Sequence, residues 1–113
     1  MNNIAVIGLG SMGYGIASSC LRSGHSVWGV DTNNKLMTKF CDLGGQKSHL
    51  DDSILDIDVV VVVVLNSIQT ESVLFNDSGI VKKLKPGSVV ISCATVAPNF
   101  AKEMELRCEE FGV

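Results

Sequence analysis

Four short apolar runs divide the chain. They cover residues 4–7, 26–30, 59–64 and 88–93. Runs of this length bounded by turn-forming residues predict buried β-strands. The six consecutive valines of the third run are the clearest case, because β-branched residues favour strands and an unbroken apolar run indicates a strand covered on both faces. A further short strand is predicted over residues 47–50, and one helical turn over residues 51–55.

Between these runs the apolar residues recur at helical spacing. A first helix is predicted from Met12 to the glycine at position 24, a residue type that ends helices. A second begins near Asn33, because asparagine caps helix N-termini well. Later helical segments are predicted over residues 67–75, over residues 79–84 and from Pro98 onward.

Strands and helices therefore alternate along the whole chain. This alternation requires right-handed crossovers, which produce a parallel sheet with helices on both faces. We predict a doubly wound α/β fold. The 113 residues, 46% hydrophobic and 19% charged, are suited to a single globular domain.

Composition and charge exclude several classes of function. The net charge is −3, and the main basic cluster, Lys82, Lys83 and Lys85, ends a predicted helix, where cations complement the helix dipole. No nucleic-acid partner is expected. The apolar run over residues 59–65 is shorter than the roughly 20 residues of a membrane span, so no membrane association is expected. The N-terminus lacks a charged region followed by a long apolar one, and we expect a cytoplasmic protein.

The reactive side chains are spread out rather than clustered. The four cysteines form no C-x-x-C pair, which favours buried free thiols over a metal site or disulfides. His25, His49 and Lys102 are interpreted as structural or solvated residues. We therefore assign no catalytic residue and no metal ligand within the chain.

A glycine-rich loop follows the first predicted strand. It reads Gly8-Leu9-Gly10-Ser11-Met12-Gly13, a G-x-G-x-x-G pattern that opens the first predicted helix. The first glycine permits a sharp turn, the second lets a pyrophosphate approach the backbone, and the third allows close packing of helix on strand. Free N–H groups and the helix dipole favour a bound phosphate there. We predict a dinucleotide site of the Rossmann type; the alternative is a plain tight turn.

Asp31 stands at the end of the second predicted strand, about 20 residues beyond the loop. A carboxylate at this position accepts hydrogen bonds from the adenosine ribose and repels a 2′-phosphate. The cofactor predicted is therefore NAD, with NADP less favoured. The alternative is that Asp31, with Thr32 or Asn33, only caps the next helix.

The loop, together with Met12, resembles the G-L-G-x-M-G signature of the β-hydroxyacid dehydrogenases, the family of 3-hydroxyisobutyrate and 6-phosphogluconate dehydrogenases. The resemblance covers essentially the whole chain, and residues 18–31 are most similar to the L-threonate dehydrogenase branch. It implies the NAD-binding portion of an oxidoreductase that transfers hydride from a small β-hydroxy acid to NAD.

The resemblance also implies contacts beyond the loop. Leu65 and Asn66 stand where the family has a cofactor-facing Leu-Pro, and Thr70 falls at another cofactor contact. Thr95 and Pro98 match a D-x-S-T-x-x-P motif near the nicotinamide. Ser92 and Ala94 depart from that motif, which weakens the substrate assignment. Thr95 is expected to contact the cofactor, to cap the last helix, or both.

The family's catalytic lysine and its helical second domain have no counterpart in residues 1–113. The resemblance therefore implies an incomplete Rossmann domain, truncated before its last strand or strands, which is inactive alone. The absent domain is expected to complete the site and to form a homo-oligomer. Two alternatives stay open: a non-catalytic NAD(H)-sensing module, and a different dehydrogenase or reductase on the same fold.

Overall fold

Five parallel β-strands form one sheet in the computed structural model, which describes residues 2–47, 56–64, 66–75, 80–93 and 97–113. The strands are β1 (Asn3–Ile7), β2 (Ser26–Val30), β3 (Gln46–Lys47), β4 (Val59–Val62) and β5 (Val89–Ser92). The helices are α1 (Ser11–Arg22), α2 (Asn34–Asp42), α3 (Ser67–Phe75) and α4 (Pro98–Glu109), with a short 3-10 helix at Val81–Lys83.

The strand order is β3-β2-β1-β4-β5. Strand β1 is central and pairs in parallel with β2 on one side and with β4 on the other. The chain therefore reverses its winding direction beside β1, and ligands of such sheets bind at the carboxyl ends of the strands at that point. This order confirms the predicted doubly wound fold.

Alternate residues of the central strands supply two separate cores. On one face Val6, Val27 and Val61 pack with Met37 and Phe40 below α1 and α2. The opposite core contains residues of β1 and β4 together with apolar side chains of α3 and the 3-10 helix: Ala5, Ile7, Val60, Val62, Leu74, Ile80 and Val81. Because successive strand residues point to opposite faces, a strand covered on both sides must be apolar throughout.

The predicted elements occur, with shifts at their ends. Strand β4 ends at Val62 although the valines continue, because the chain must leave the sheet to begin α3. The predicted helix over residues 79–84 is a 3-10 helix at Val81–Lys83. Residues 48–50, predicted as strand, and the helical turn over residues 51–55 lie outside the described residues.

Asp58 joins three strands at the amino-terminal edge of the sheet. Its carboxylate accepts a hydrogen bond from the Asn3 N–H at 2.9 Å and pairs with the Lys85 ammonium at 2.6 Å. Its carbonyl accepts from Val89 N–H at the start of β5. The Asn3 hydrogen bond first, and then Lys85, hold the pKa of the Asp58 carboxyl below its ordinary value.

We expect the substitution Asp58→Asn to lower the thermal unfolding midpoint at pH 7. A carboxyl whose pKa is lower in the folded than in the unfolded chain stabilises the fold above its unfolded pKa of about 3.8. That contribution is lost as the pH falls through the folded-state pKa. The difference in midpoint between the wild type and this variant should therefore shrink at pH 3.

Asp42→Asn, at the exposed end of α2, is the matched control and should leave the midpoint nearly unchanged at both pH values. Equal midpoints for wild type and Asp58→Asn at pH 7 would refute the stabilising role of the Asp58 carboxylate. A difference that persists undiminished at pH 3 would show that it does not arise from the carboxyl charge.

Candidate dinucleotide site

The predicted glycine loop connects β1 to α1 at the carboxyl edge of the sheet. Gly8 has a φ of 97°, in the left-handed region that favours glycine. Its N–H donates to the Val30 carbonyl at the end of β2 at 2.8 Å, while Val63 N–H donates to the Ile7 carbonyl at 2.8 Å. Neighbouring strands thus fix the position at which the chain turns into α1.

Two of the three loop glycines are required by packing inside the protein. A side chain at Gly8 would collide with the Val63 carbonyl oxygen, and one at Gly13 would collide with the Gly8 carbonyl oxygen. The start of α1 therefore lies directly against the end of β1. Backbone contact of this kind leaves no room for even a methyl group.

Gly10 differs from both. A Cβ atom there would meet no other heavy atom within 4 Å, and the φ of −66° and ψ of −172° suit any residue. Gly10 is exposed and caps α1 without a side-chain hydrogen bond. Nothing within the described residues explains why this position lacks a side chain.

The first turn of α1 contains hydrogen-bond donors that the helix itself does not satisfy. The first intrahelical bond runs from Tyr14 N–H to the Gly10 carbonyl at 2.8 Å, so the N–H groups of Ser11, Met12 and Gly13 have no partner within the helix. Ser11 and Met12 are exposed, and Met12 retains 61% of its accessible surface. These donors and the positive end of the helix dipole suit a phosphate.

Leu9 contributes to the site in a different way. Its side chain is only 1% exposed and packs beside Gly29 of β2, where a larger residue would touch both it and Phe40. Its N–H donates to the Asp31 carboxylate at 2.7 Å. Leu9 thus anchors the loop to the core, and a direct contact with a cofactor stays a prediction.

Asp31 lies immediately after β2 and beside the loop. Its second carboxylate oxygen accepts from the Asn33 N–H at 2.8 Å. The cap of α2 is Asn33, whose side chain accepts from the Lys35 N–H at 2.9 Å, as predicted. Asp31 therefore does not cap the helix itself; it is a half-buried carboxylate held at the edge where a ribose is predicted to bind.

The predicted contacts after β4 lie at the start of α3. Asn66 caps this helix, with its side-chain oxygen accepting from the Gln69 N–H at 2.9 Å. Thr70 is buried, and its hydroxyl donates to the Asn66 carbonyl at 2.9 Å. Their cofactor contacts stay predictions. Leu65 and Thr95 lie outside the described residues, as does Ala94.

A separate cavity of about 350 Å³ lies between α3, β5 and α4. Its walls include Thr70, Ser88, Met104 and Cys108, and burial raises the pKa of the Cys108 thiol. The strand beside it is the open edge of the sheet, where Val89 and Ile91 are about half exposed. The glycine loop does not contribute to this cavity, which is mainly apolar.

The other reactive side chains considered in the sequence are Lys102, the histidines and the cysteines. Lys102 is exposed, and His25 accepts the Asn2 N–H at 3.0 Å through Nδ1. All four cysteines are free and half-buried. In the part of the chain that the structure describes, no group of three His, Cys, Asp or Glu side chains could hold a metal ion. No helix in those ranges is long and apolar enough to cross a membrane.

Sequence reasoning missed the hydrogen bond between Leu9 and Asp31 and the close contact between Gly8 and Val63. The only available signal for the first was the expected parallel pairing of β1 with β2. Residues that end paired parallel strands lie at one edge, but the side-chain rotamer that joins them is a tertiary feature.

Known proteins are similar to this chain in both fold and sequence. A family model described as the NAD binding domain of 6-phosphogluconate dehydrogenase matches residues 3–113. The L-threonate dehydrogenases of Cupriavidus necator and Pectobacterium atrosepticum are 41% and 38% identical over 98% and 95% of this chain. A solved 3-hydroxyisobutyrate dehydrogenase from Salmonella typhimurium is 32% identical, with a TM-score of 0.92 over 99% of this chain.

These three proteins are all much longer. The chain spans 38% of the Cupriavidus enzyme, 36% of the Pectobacterium enzyme and 39% of the Salmonella chain. The similarity therefore concerns one part of each relative.

We expect Gly13→Ala to destabilise the fold, because its methyl group would collide with the Gly8 carbonyl. Overpacking of this kind costs about 1–3 kcal/mol of the free energy of unfolding. Gly15→Ala, two residues further along α1 in open space, should instead stabilise by about 0.5–1 kcal/mol. Urea denaturation followed by circular dichroism measures both; equal stabilities of the two variants would refute the close packing of α1 on β1.

Proposed function

The chain belongs to the family of the NAD binding domain of 6-phosphogluconate dehydrogenase, and we propose that it binds NAD through the β1–α1 loop on behalf of a β-hydroxyacid dehydrogenase. The resemblance drawn from the glycine loop and Met12 is confirmed by this membership. Its relatives are dehydrogenases, which supports an oxidoreductase as the whole protein.

The single observation that carries the proposal is the empty space beside Gly10. Gly8 and Gly13 are needed for the fold, whereas no described neighbour would contact a side chain at Gly10. The N–H groups of Ser11, Met12 and Gly13, which directly follow Gly10, have no partner within the helix. A pyrophosphate approaching the helix would need this space, so the residues present fit a dinucleotide.

The position of Asp31 supports NAD rather than NADP. Two of the roughly four lone-pair directions of a carboxylate are taken by Leu9 and Asn33, which leaves acceptors for ribose hydroxyls. A 2′-phosphate would face a fixed negative charge at this place. Two such charges about 4 Å apart repel by about 1–4 kcal/mol near a protein surface.

The substrate we propose is a small β-hydroxy acid, with a sugar acid such as L-threonate favoured because the L-threonate dehydrogenases are 41% and 38% identical to this chain. NAD would supply the hydride acceptor, and the protein would supply binding and orientation. We assign the proton transfer to a lysine of a helical domain outside residues 1–113, which would also mediate assembly into a homo-oligomer in the cytoplasm. The 113-residue chain alone should therefore not oxidise hydroxy acids.

Calorimetric titration of NADH into the purified chain tests the loop. Gly10→Ser keeps a residue that caps helices well, yet it fills the space that the pyrophosphate would enter. We expect its stability to change by less than about 1 kcal/mol and its affinity for NADH to fall at least about tenfold. Gly15→Ser makes the same change at an exposed position of the same helix and should bind like the wild type.

A Gly10→Ser variant that binds NADH as tightly as the wild type would refute the loop as the pyrophosphate site. Failure of the wild type to bind would refute the proposal as a whole.

The same titration with NADPH tests the cofactor preference. Charge repulsion at Asp31 should weaken NADPH binding at least about tenfold relative to NADH. Equal affinities would contradict the assignment of the ribose site. Turnover of L-threonate by the chain alone would show that the required proton-transfer group lies within residues 1–113.

A further inference from the structure

We infer that Asp31 is a positioning residue for the pyrophosphate loop, in addition to its role at the ribose; the inference rests on the proposed NAD site. The evidence is the 2.7 Å hydrogen bond from the Leu9 N–H to one carboxylate oxygen. This bond joins residues 22 positions apart in the chain, the first in the loop and the second after β2. A bond to an ionised acceptor is stronger than one between neutral groups.

The end of β2 holds two consecutive N–H groups of the loop. Gly8 N–H donates to the Val30 carbonyl, and Leu9 N–H donates to the Asp31 side chain. Neither donor is left for a ligand. The donors that can reach a pyrophosphate therefore begin at Gly10, and their direction depends on how the preceding two residues are held.

The carboxylate is itself held in one orientation. The Asn33 N–H donates to its other oxygen at 2.8 Å, so each oxygen accepts from a different backbone donor. An asparagine in this place would have to turn an NH₂ group toward one of the two N–H donors. One hydrogen bond would be lost and two donors would face each other.

Asp31 thus couples the two halves of the site. Its two remaining lone pairs would accept from the ribose hydroxyls of bound NAD, while its bonded ones hold the loop that would bind the pyrophosphate. An Asp31 that acted only on the ribose would not affect a dinucleotide without ribose hydroxyls. An Asp31 that positions the loop must affect that dinucleotide as well.

A thermodynamic cycle that combines one protein substitution with one change of ligand separates these roles. We would measure the affinities of the wild type and Asp31→Asn for NADH and for an NADH analogue whose adenosine ribose lacks the 2′- and 3′-hydroxyls. The substitution should lower the affinity for the analogue about tenfold, because a charge-assisted hydrogen bond to the loop is lost. The affinity for NADH should fall further, because the ribose contact is lost as well.

Unchanged binding of the analogue by Asp31→Asn would overturn the positioning role and leave Asp31 as a ribose ligand only. Asp42→Asn, which removes an exposed carboxylate at the end of α2, should alter neither affinity. If the wild type binds no NADH, the proposed function fails and this inference fails with it.

Amide hydrogen exchange in the protein without ligand tests the loop bond independently of cofactor binding. Asp31→Asn should accelerate exchange at Leu9 by about tenfold, while Val6 in the centre of β1 exchanges as before. A general loss of stability would accelerate both amides, which distinguishes it from a local effect. Unchanged exchange at Leu9 would refute this inference alone and leave the proposed NAD site standing.

Discussion

Direct backbone contact between the end of β1 and the start of α1 is the constraint on which the rest of this structure depends. Gly8 leaves space for the Val63 carbonyl, and Gly13 leaves space for the Gly8 carbonyl. Because no side chain separates helix from strand, the N–H groups of the first turn, which have no partner within the helix, lie at the carboxyl edge of the sheet. The same edge receives Asp31 from the neighbouring strand. The proposed dinucleotide site depends on this contact, since it brings candidate donors for phosphate and a candidate acceptor for ribose to one place.

Most of the fold could be predicted from the sequence, because local and global preferences agree in this chain. Val60, Val61 and Val62 of β4 are buried as an uninterrupted apolar run requires, and β4 lies between β1 and β5. Asn33 caps α2 through its side chain, as its residue type indicated. The lengths of the strands and helices were predicted least accurately. Strand β4 ends two residues before the last valine of the run, because the crossover to α3 begins where the sheet ends. The hydropathy pattern alone does not indicate where the sheet ends.

The site was predictable in its residue types but not in its contacts. The pattern of three glycines is visible in the sequence, yet only the packing distinguishes Gly10, which faces open space, from the two that face backbone. The sequence indicated Asp31 as a ribose ligand; that its carboxylate also binds the Leu9 N–H depends on the register of two parallel strands and on a rotamer. Asn66 was expected beside the cofactor, and its role as the cap of α3 emerged only from the structure.

The most direct test of this account is a map of the amide chemical shifts of the chain during a titration with NADH. We expect the largest changes at residues 8–13 and at Asp31, which lie around the start of α1. Changes centred instead on the cavity between α3, β5 and α4, at residues such as Met104 and Cys108, would contradict it. Such a result would place the nucleotide away from Gly10, the glycine of the loop beside which a side chain would meet no other heavy atom within 4 Å.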